Sequence, residues 1–475
     1  MLFTSYTFLF VFLPVVLTVT LALPAKQRNA FLAVASYVFY AQWNPWFLLL
    51  LVASTLLDYR CGALIAHSAS ARVRRLALAA SLSGNLGLLG VFKYAGFVVS
   101  NLNTVLAAAG ASSLPVPQLT LPVGISFFTF QSMSYSFDLY RGAARPARSL
   151  LDFATYVALF PQLVAGPILR YRTLAEQLAV RTVDAERVMR GLSIFSIGLA
   201  KKVLLANNLA PVADGAFAES SMAGAALTPG LAWIGTLAYA LQIYFDFSGY
   251  SDMAIGLGLC LGFVFPQNFD APYRSRSITD FWRRWHISLS QWLRDYLYIP
   301  LGGNRGSRFA TYRNLALTML LGGLWHGAAW TFVVWGALHG LLLALERARG
   351  RRSLYAVLPT ELQRLCTGLL VLVTWVFFRA ESLSGATFHL AAMFGVGGPT
   401  ANGSLLRTEL LDPFRSGLLI VALVLATTPW RTCDLLDPQR SDERAWKRLV
   451  ALLLFGLSVL ELSSQGYNPF LYFQF

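Results

Sequence analysis

The chain has 475 residues, of which 56% are hydrophobic and only 13% are charged, and its mean hydropathy is +0.55. Soluble proteins carry about 25% charged residues, so the composition excludes an ordinary soluble protein and predicts a membrane protein embedded in a lipid bilayer. A net charge of +15 would suit a nucleic-acid-binding protein. The basic residues, however, stand in short connections between apolar runs, so we expect no nucleic-acid partner.

Apolar runs that can cross about 30 Å of hydrocarbon recur along the chain, for example residues 2–23, 231–265 and the region of 449–462. We expect roughly nine to twelve crossings. The first run has no basic segment before it and no small-residue cleavage site, so we expect a retained span and no cleaved signal peptide. Basic residues in the connections assign those connections to the cytoplasm and the N-terminus to the periplasm.

The distribution of polar residues divides the chain into three stretches. Residues 1–119 form plain hydrophobic helices, which we interpret as a scaffold. Ionisable and aromatic residues repeatedly enter the apolar segments of residues 120–346, and such residues mark functional sites inside membranes. Plain helices return in residues 347–475. Because no internal repeat is present, we predict one all-α membrane domain with a catalytic core at 120–346.

Two carboxylates stand in the otherwise apolar segment 245–252, FDFSGYSD. Asp246 and Asp252 need partners there, such as arginines or backbone donors, because an unpaired charge in an apolar setting is costly. They form either a structural polar network or part of a site in which they orient a catalytic histidine or line a donor channel. The sequence leaves both readings open.

Residues 279–298 show an aromatic stripe at helical spacing. On a single helix the stripe occupies one face and the arginines the other, which suits the membrane–water interface or the mouth of a cavity. His286 lies at the border of the stripe, and we expect its side chain to be partly buried and still to reach water. The stripe consists of Trp282, Trp285, Leu289, Trp292, Leu293 and Tyr296.

Basic residues cluster around this segment. They satisfy the bias of positive charge towards the cytoplasm and can contact lipid headgroups. They also fit the docking mouth of a polyphosphate-bearing acyl donor, because arginine forks match phosphate oxygens. Both readings can hold together. The cluster consists of Arg274, Arg276, Arg283, Arg284, Arg294, Arg305 and Arg308.

His326 stands in an apolar stretch, residues 313–345, that would span about 50 Å as one helix and must therefore break. Gly322-Gly323 and Gly327 flank Trp325-His326, which predicts the break beside the histidine. Within a bilayer, non-helical backbone is tolerated only where it is buried in protein or lines a water-filled cavity. We therefore expect His326 at a cavity. His339 and His389 are interpreted as structural, and no spacing of His, Cys or acidic residues indicates a metal site.

The chain resembles the membrane-bound O-acyltransferase (MBOAT) superfamily, and within it the alginate O-acetylase branch. The resemblance covers almost the full length. It rests on FDFSGYSD at 245–252, PQNFDAPY at 266–273, FWRRWHIS at 281–288, WLRDYLYIPLGG at 292–303 and GLWHGA at 323–328, with residues 1–13, PQLVAGPILR at 161–170 and YNPFLYFQF at 467–475 also similar.

The resemblance implies a fold and a site. It implies a ring of helices around a central tunnel, with interfacial and re-entrant helices, in a multi-pass protein of the bacterial inner membrane. His326 matches the superfamily's essential histidine and His286 its second polar residue. We assign a set of further residues to the substrate or donor channel: Trp325, Asp246, Asp252, Arg283, Arg284, Trp285, Asn268 and Tyr273.

The resemblance also implies the reaction. An acetyl group leaves a cytoplasmic donor, expected to be acetyl-CoA, crosses the membrane and passes to a periplasmic partner of the SGNH-like type that acetylates an exopolysaccharide such as alginate. No tightly bound cofactor is expected. A near-neutral imidazole can take the proton of an acceptor hydroxyl that attacks the thioester, or it can itself be acylated.

Other functions remain open at this stage. The same tunnel could serve acylation of peptidoglycan, cellulose or teichoic acid. Intramembrane Asp, Arg and His also mark transport pathways, although the chain lacks the paired inverted halves typical of transporters. A non-catalytic scaffold of a polysaccharide export complex is the remaining alternative.

Overall fold

Helices are the only regular elements in the part of the chain that the structure describes, which is residues 1–220, 227–350, 352–396, 410–429, 432 and 444–464 of a computed structural model. The predicted all-α fold is confirmed. The similar ending at 467–475 lies outside these residues. Two compact units are present: Met1–Phe195 with Met253–Pro266, and Ser196–Asp252 with Gln267–Phe475. The predicted boundaries at 119 and 346 stay a prediction.

The first unit contains the N-terminal helices. Its helices are α1 Leu13–Ala22, α2 Ala25–Ala41, α3 Pro45–His67, α4 Ala71–Leu89, α5 Ala95–Ala108, α6 Ile125–Tyr140, α7 Leu150–Ala158, α8 Phe160–Leu163, α9 Tyr171–Ala179 and the start of α10 Ala185–Ala200, with π-helical segments Phe8–Phe12 and Gly90–Tyr94.

The second unit contains every residue assigned to the site. After the π-helix Lys201–Ala206 its helices are α11 Asn207–Glu219, α12 Pro229–Cys260 (whose last turns belong to the first unit), α13 Ile278–Arg284, α14 Ile287–Leu293, α15 Arg308–His326, α16 Trp330–Ala348, α17 Thr360–Arg379, α18 Leu383–Met393, α19 Pro413–Thr427 and α20 Arg444–Ser464, with a 3₁₀ turn Pro272–Arg274 and a π-helix Arg294–Tyr298.

Several of these helices can cross a bilayer. Among the described residues, four are long and apolar enough: Pro45–His67, Ala71–Ala108, Trp330–Ala348 and Thr360–Arg379. Phe8–Ala22 and Pro413–Thr427 are shorter apolar helices. The membrane character of the chain agrees with its composition, whereas nine to twelve crossings stay a prediction.

An antiparallel hairpin of α15 and α16 carries His326. Ser307 caps α15 by accepting a hydrogen bond from Ala310 N at 3.1 Å. The two helices approach closely because a Cβ atom on Gly323 would clash with the Phe332 carbonyl, and one on Gly336 would clash with the Met319 carbonyl. The hairpin therefore requires glycine at these contacts.

Residues 279–298 do not form the single helix that the aromatic stripe predicts. They form α13, α14 and the π-helix Arg294–Tyr298, with a break at Trp285-His286. Side chains of the stripe pack inside the protein, since Trp285, Leu289 and Trp292 are buried.

A buried carboxylate fixes the start of α13. Glu346, on α16, accepts hydrogen bonds from Ile278 N at 2.7 Å and Thr279 N at 2.9 Å. Amide groups in the first turn of a helix lack partners within that helix, and a negative charge satisfies them well. The hairpin helix α16 thus holds the short helix that leads to His286.

Candidate active site

His326 is the last residue of α15, and the chain turns back through residues 327–329 into α16. The predicted break beside the histidine is confirmed. The residue is 4% exposed, so it does not face lipid. Its ring lies against the rings of Trp325, Phe378 and Trp335, with centroid distances of 4.9, 5.1 and 5.3 Å. An aromatic enclosure therefore surrounds the imidazole, and the passage that would reach it stays a prediction.

His286 lies at the joint between α13 and α14 with φ 42° and ψ 56°, in the left-handed region. This conformation is uncommon for a residue other than glycine and persists only where its surroundings hold it. Ile287 N donates to Asn268 O at 2.9 Å, and Asp270 N donates to Arg284 O at 2.9 Å. The segment 268–270 therefore holds the joint in place.

The Asn268 side chain determines the protonation of His286. Ser288 N donates to Asn268 Oδ1 at 3.1 Å and Ser288 Oγ donates to it at 2.9 Å, so this atom is the amide oxygen. His286 Nδ1 lies 3.2 Å from the same oxygen and must donate to it. Its Nε2 is then the acceptor atom of a neutral ring, and burial lowers the pKa of His286 to about 3.

The expectation that His286 reaches water is wrong, because the residue is completely buried. The cause is the break in the helix, which turns the ring away from the surface of α13 and α14 towards Phe247 on α12. The two rings meet edge to face, with centroids 4.7 Å apart. Desolvation by burial favours the neutral imidazole.

Trp325 contacts both histidines. Its ring centroid lies 6.0 Å from that of His286 and 4.9 Å from that of His326. The structure thus brings together four of the predicted residues, His286, His326, Trp325 and Asn268, and the last of these orients His286.

Sequence reasoning missed the rest of the enclosure around His326. Trp335 comes from α16 and Phe378 from α17, and both are buried. Trp335 also contacts His339, whose Nδ1 accepts a hydrogen bond from Trp282 Nε1 at 3.2 Å. The fold back at residues 327–329 brings α16 beside His326, which a straight helix could not do. The aromatic run WVFFR at 375–379 was the available signal for α17.

The interpretation of His389 as structural is supported by its contacts. Ser220 Oγ lies 2.7 Å from its Nδ1, and Thr236 Oγ1 and the Ala232 carbonyl lie 3.0 and 3.2 Å from its Nε2. Phe217 stacks on the ring with a centroid distance of 4.2 Å. Hydrogen bonds therefore engage both ring nitrogens, and Phe217 covers one face of the ring.

Asp246 and Asp252 form ion pairs with two consecutive lysines. Lys202 Nζ lies 2.5 Å from Asp246 Oδ1, and Lys201 Nζ lies 2.6 Å from Asp252 Oδ2. Thr432 Oγ1 also donates to Asp252 Oδ2 at 2.6 Å. Of the two readings, these contacts favour a structural polar network. The sequence suggested arginines or backbone donors as partners, and the pair KK in the apolar run GLAKKVLLA was the signal for lysines.

The lysines stand on the π-helix Lys201–Ala206, which follows α10. Gly249, on α12 between the two aspartates, approaches this segment so closely that a Cβ atom there would lie 2.7 Å from the Gly198 carbonyl oxygen. The absence of a side chain at Gly249 lets the two backbones meet. The short distance between them places both lysines within reach of the carboxylates.

The two channel arginines differ in their contacts. Arg284 Nε donates to Asp280 Oδ1 at 2.9 Å and Nη1 donates to the Asp270 carbonyl at 3.3 Å, so this side chain is held in place. Arg283 is exposed and lines a cavity of about 430 Å³ together with Arg347 and Trp282. Within the described ranges, neither Arg283 nor Arg347 has an ion-pair partner. This cavity can therefore accept an anion.

Trp285 and Tyr273 have the contacts of packing residues. Trp285 is 2% exposed and lies against Phe281 and Trp375, with centroid distances of 5.6 and 5.1 Å. Tyr273 donates a hydrogen bond from its hydroxyl to the Ala240 carbonyl at 2.6 Å. A channel role for these two residues stays a prediction. Across the residues that the structure describes, no three His, Cys, Asp or Glu side chains form a group that could hold a metal ion.

Residues 25–381 match the model of the membrane-bound O-acyltransferase family. The chain belongs to this family. A probable alginate O-acetylase of Azotobacter vinelandii is 48% identical to this O-acyltransferase over 510 residues, and one of Pseudomonas aeruginosa is 45% identical over 528 residues; both alignments cover the whole of each chain. A peptidoglycan O-acetyltransferase of Helicobacter pylori is 36% identical over 522 residues, covering all of this chain and 98% of the relative.

The two histidines of this O-acyltransferase have different surroundings. The His326 ring lies against the rings of Trp325, Trp335 and Phe378, and the His286 ring is fixed by the Asn268 amide. An O-acyltransferase must remove a proton from an acceptor hydroxyl, and a neutral imidazole is the side chain suited to that step. Which of the two rings takes part in that step stays a prediction.

Proposed function

We propose that this O-acyltransferase transfers an acetyl group from a cytoplasmic donor across the inner membrane for O-acetylation of an exopolysaccharide of the alginate type. The observation that carries the proposal is the buried imidazole of His326 at the turn of the α15–α16 hairpin, with Trp325 joining it to His286. The full-length similarity to probable alginate O-acetylases supports the acetyl group and the polymer.

In the proposed step the acceptor hydroxyl attacks the carbonyl carbon of the acetyl thioester. A carbon–oxygen bond forms and the carbon–sulfur bond breaks. His326 takes the hydroxyl proton and returns it to the leaving thiolate, so the products are an acetyl ester and a free thiol. The aromatic enclosure excludes water, which limits hydrolysis of the thioester.

His286 has a different role in this scheme. Its Nδ1 donates to Asn268, so the neutral ring presents Nε2 as an acceptor and cannot donate from that atom to the acyl oxygen. An acceptor atom suits orientation of the incoming hydroxyl. We therefore assign His286 to positioning the acceptor and not to stabilising the negative charge on the acyl oxygen.

Acetyl-CoA is the proposed donor. The cavity lined by Arg283 and Arg347 offers two guanidinium groups that have no ion-pair partner among the described residues, and these groups match the phosphates of coenzyme A. Trp282 lines the same cavity, and its ring contacts that of Trp335, which in turn contacts His326. A thioester arm that follows these rings would reach the imidazole.

The acceptor side of the proposal includes a periplasmic partner of the SGNH-like type, which would pass the acetyl group to the polymer. This part rests on the resemblance of the sequence motifs. The same scheme requires a multi-pass arrangement in the inner membrane, because donor and polymer lie on opposite sides. The basic connections between apolar runs support that orientation.

The test is the acetyl content of the cell's polymers in a strain lacking this chain, complemented with the natural chain or with His326→Ala. We expect exopolysaccharide acetyl esters to disappear in the deletion and in His326→Ala, with equal amounts of both proteins in the membrane. Loss of acetyl esters from peptidoglycan with unchanged exopolysaccharide would favour the second candidate, which the similarity to a peptidoglycan O-acetyltransferase supports. Full acetylation by His326→Ala would refute the assignment of the imidazole.

A further inference from the structure

A second cavity, of about 480 Å³, lies among α12, the turn Pro272–Arg274, α17 and α19. We call it the leucine groove. Leucine side chains from α12, α17 and α19 form its walls, and charged groups stand among them at the turn and near the start of α17. The wall residues used below are Leu365, Leu369 and Leu423, and the charged residues are Arg274, Arg364 and Glu361.

The walls of the leucine groove face outward. Leu365 is 56% exposed, and Leu369 and Leu423 are each 41% exposed. α17, which carries the first two, is one of the helices long and apolar enough to cross a membrane. Exposed leucines on such a helix contact hydrocarbon. The groove therefore opens to the interior of the bilayer, which supplies acyl chains.

The charged groups that line the groove, two arginines and one glutamate, carry a net positive charge. Arg364 Nη1 donates to Glu361 Oε1 at 2.6 Å, so these two charges cancel. Arg364 Nε is buried and has no hydrogen-bond partner among the described residues. Arg274 has no ion-pair partner in the same ranges, and it contributes the net positive charge.

We infer that the leucine groove binds one anionic phospholipid, with its acyl chains along the leucines and its phosphate at Arg274 and Arg364. The apolar walls match the acyl chains of such a lipid, and the net positive charge of the lining residues matches its phosphate. The cavity beside Arg283 lacks this combination, because its walls include the buried Leu293 and Met319 and several hydroxyl and amide side chains. The two cavities thus suit different ligands.

Gly368 allows a steric test. It lines the leucine groove, and a Cβ atom there would meet no atom within 4 Å, so Gly368→Leu places a side chain in the groove without a clash. Gly417 on α19 also has no atom within 4 Å of a Cβ position and does not line the groove, so Gly417→Leu is the matched control. Both changes replace a glycine within a helix by leucine and have the same effect on helix propensity.

The experiment is native mass spectrometry of the purified full chain titrated with dioleoyl-phosphatidylglycerol or dioleoyl-phosphatidylcholine. We expect one phosphatidylglycerol to bind the natural chain and the Gly417→Leu variant in preference to phosphatidylcholine. Gly368→Leu should lose this binding. Arg274→Gln and Arg364→Gln should each weaken it about fivefold, whereas Arg72→Gln, at an exposed residue outside the groove, should leave it unchanged.

Three results would overturn the inference. One is equal binding of phosphatidylglycerol by Gly368→Leu and Gly417→Leu. Another is equal affinity for the two lipids in the natural chain. The third is displacement of the lipid by free coenzyme A, which would assign the arginines of the leucine groove to the soluble donor. None of these measurements depends on acetyl transfer, so the lipid inference and the proposed function are tested separately.

Discussion

Lys202 and Asp246 form an ion pair 2.5 Å apart with side chains that are only 3% and 2% exposed. Removing one partner from such a pair leaves a buried charge without compensation, which typically costs about 3–5 kcal/mol. We expect Lys202→Met to lower the free energy of unfolding by about this amount, and Lys202→Met/Asp246→Leu to recover part of the loss. Denaturant titration of the purified chain in micelles measures both.

Lys201→Met is the control for this pair. Lys201 and its partner Asp252 are 22% and 14% exposed, so water can compensate the remaining charge and the loss should be smaller. Equal stability of Lys202→Met and the natural chain would show that the buried pair contributes nothing to folding.

His286→Asn should fold and insert normally, since asparagine tolerates the left-handed conformation and its amide can donate to Asn268. It cannot reproduce the acceptor at Nε2, so we expect the rate of acetyl transfer to fall by about 10²-fold. His286→Ala should in addition lower the amount of folded protein. Initial rates normalised to membrane protein separate the two effects, and a fully active His286→Asn would remove His286 from the mechanism.

Acidification should destabilise the protein through His286. Burial lowers the pKa of the folded ring to about 3, whereas the unfolded ring takes up a proton below about pH 6.5. Between these values the unfolded state binds more protons, so stability falls as pH falls, by up to about 1.4 kcal/mol per pH unit from this group. Unfolding measured from pH 7.5 to 4.5 should show a shallower loss for His286→Asn, and parallel curves for the two proteins would contradict the assigned protonation.

Arg283→Gln and Arg347→Gln should raise the KM for acetyl-CoA about fivefold each, with little change in kcat, if the cavity that they line holds the phosphates. The effect should shrink at high ionic strength, because exposed charges are screened. Arg72→Gln, at an exposed residue outside that cavity, is the control. An unchanged KM in both variants would place the donor elsewhere.

The sequence predicts the break at His326 because Gly322, Gly323 and Gly327 interrupt a run too long for one span. It does not predict the break at His286, since residues 279–298 contain neither glycine nor proline and keep a helical spacing of aromatic residues. Hydrogen bonds from residues 287 and 288 to Asn268 produce that break. Local pattern cannot reveal such a contact, because its partner is distant in the chain.

The same distinction explains the other differences. The two aspartates of FDFSGYSD are visible in the sequence as charges that need partners, but their lysines lie 44 and 51 residues away and reach them through a close approach at Gly249. Trp335 and Phe378 join the enclosure of His326 only because α15 and α16 fold into a hairpin and α17 packs beside them. Residue type indicated the chemistry, and packing between helices determined the neighbours.

Glu346 connects α16, which follows His326, to α13, which leads to His286. Its carboxylate accepts hydrogen bonds from the backbone amides of Ile278 and Thr279 in the first turn of α13. A movement of α13 away from α16 would have to break those two hydrogen bonds. In the proposed mechanism Glu346 therefore helps to set the spacing between the two imidazoles, although it takes no part in bond making.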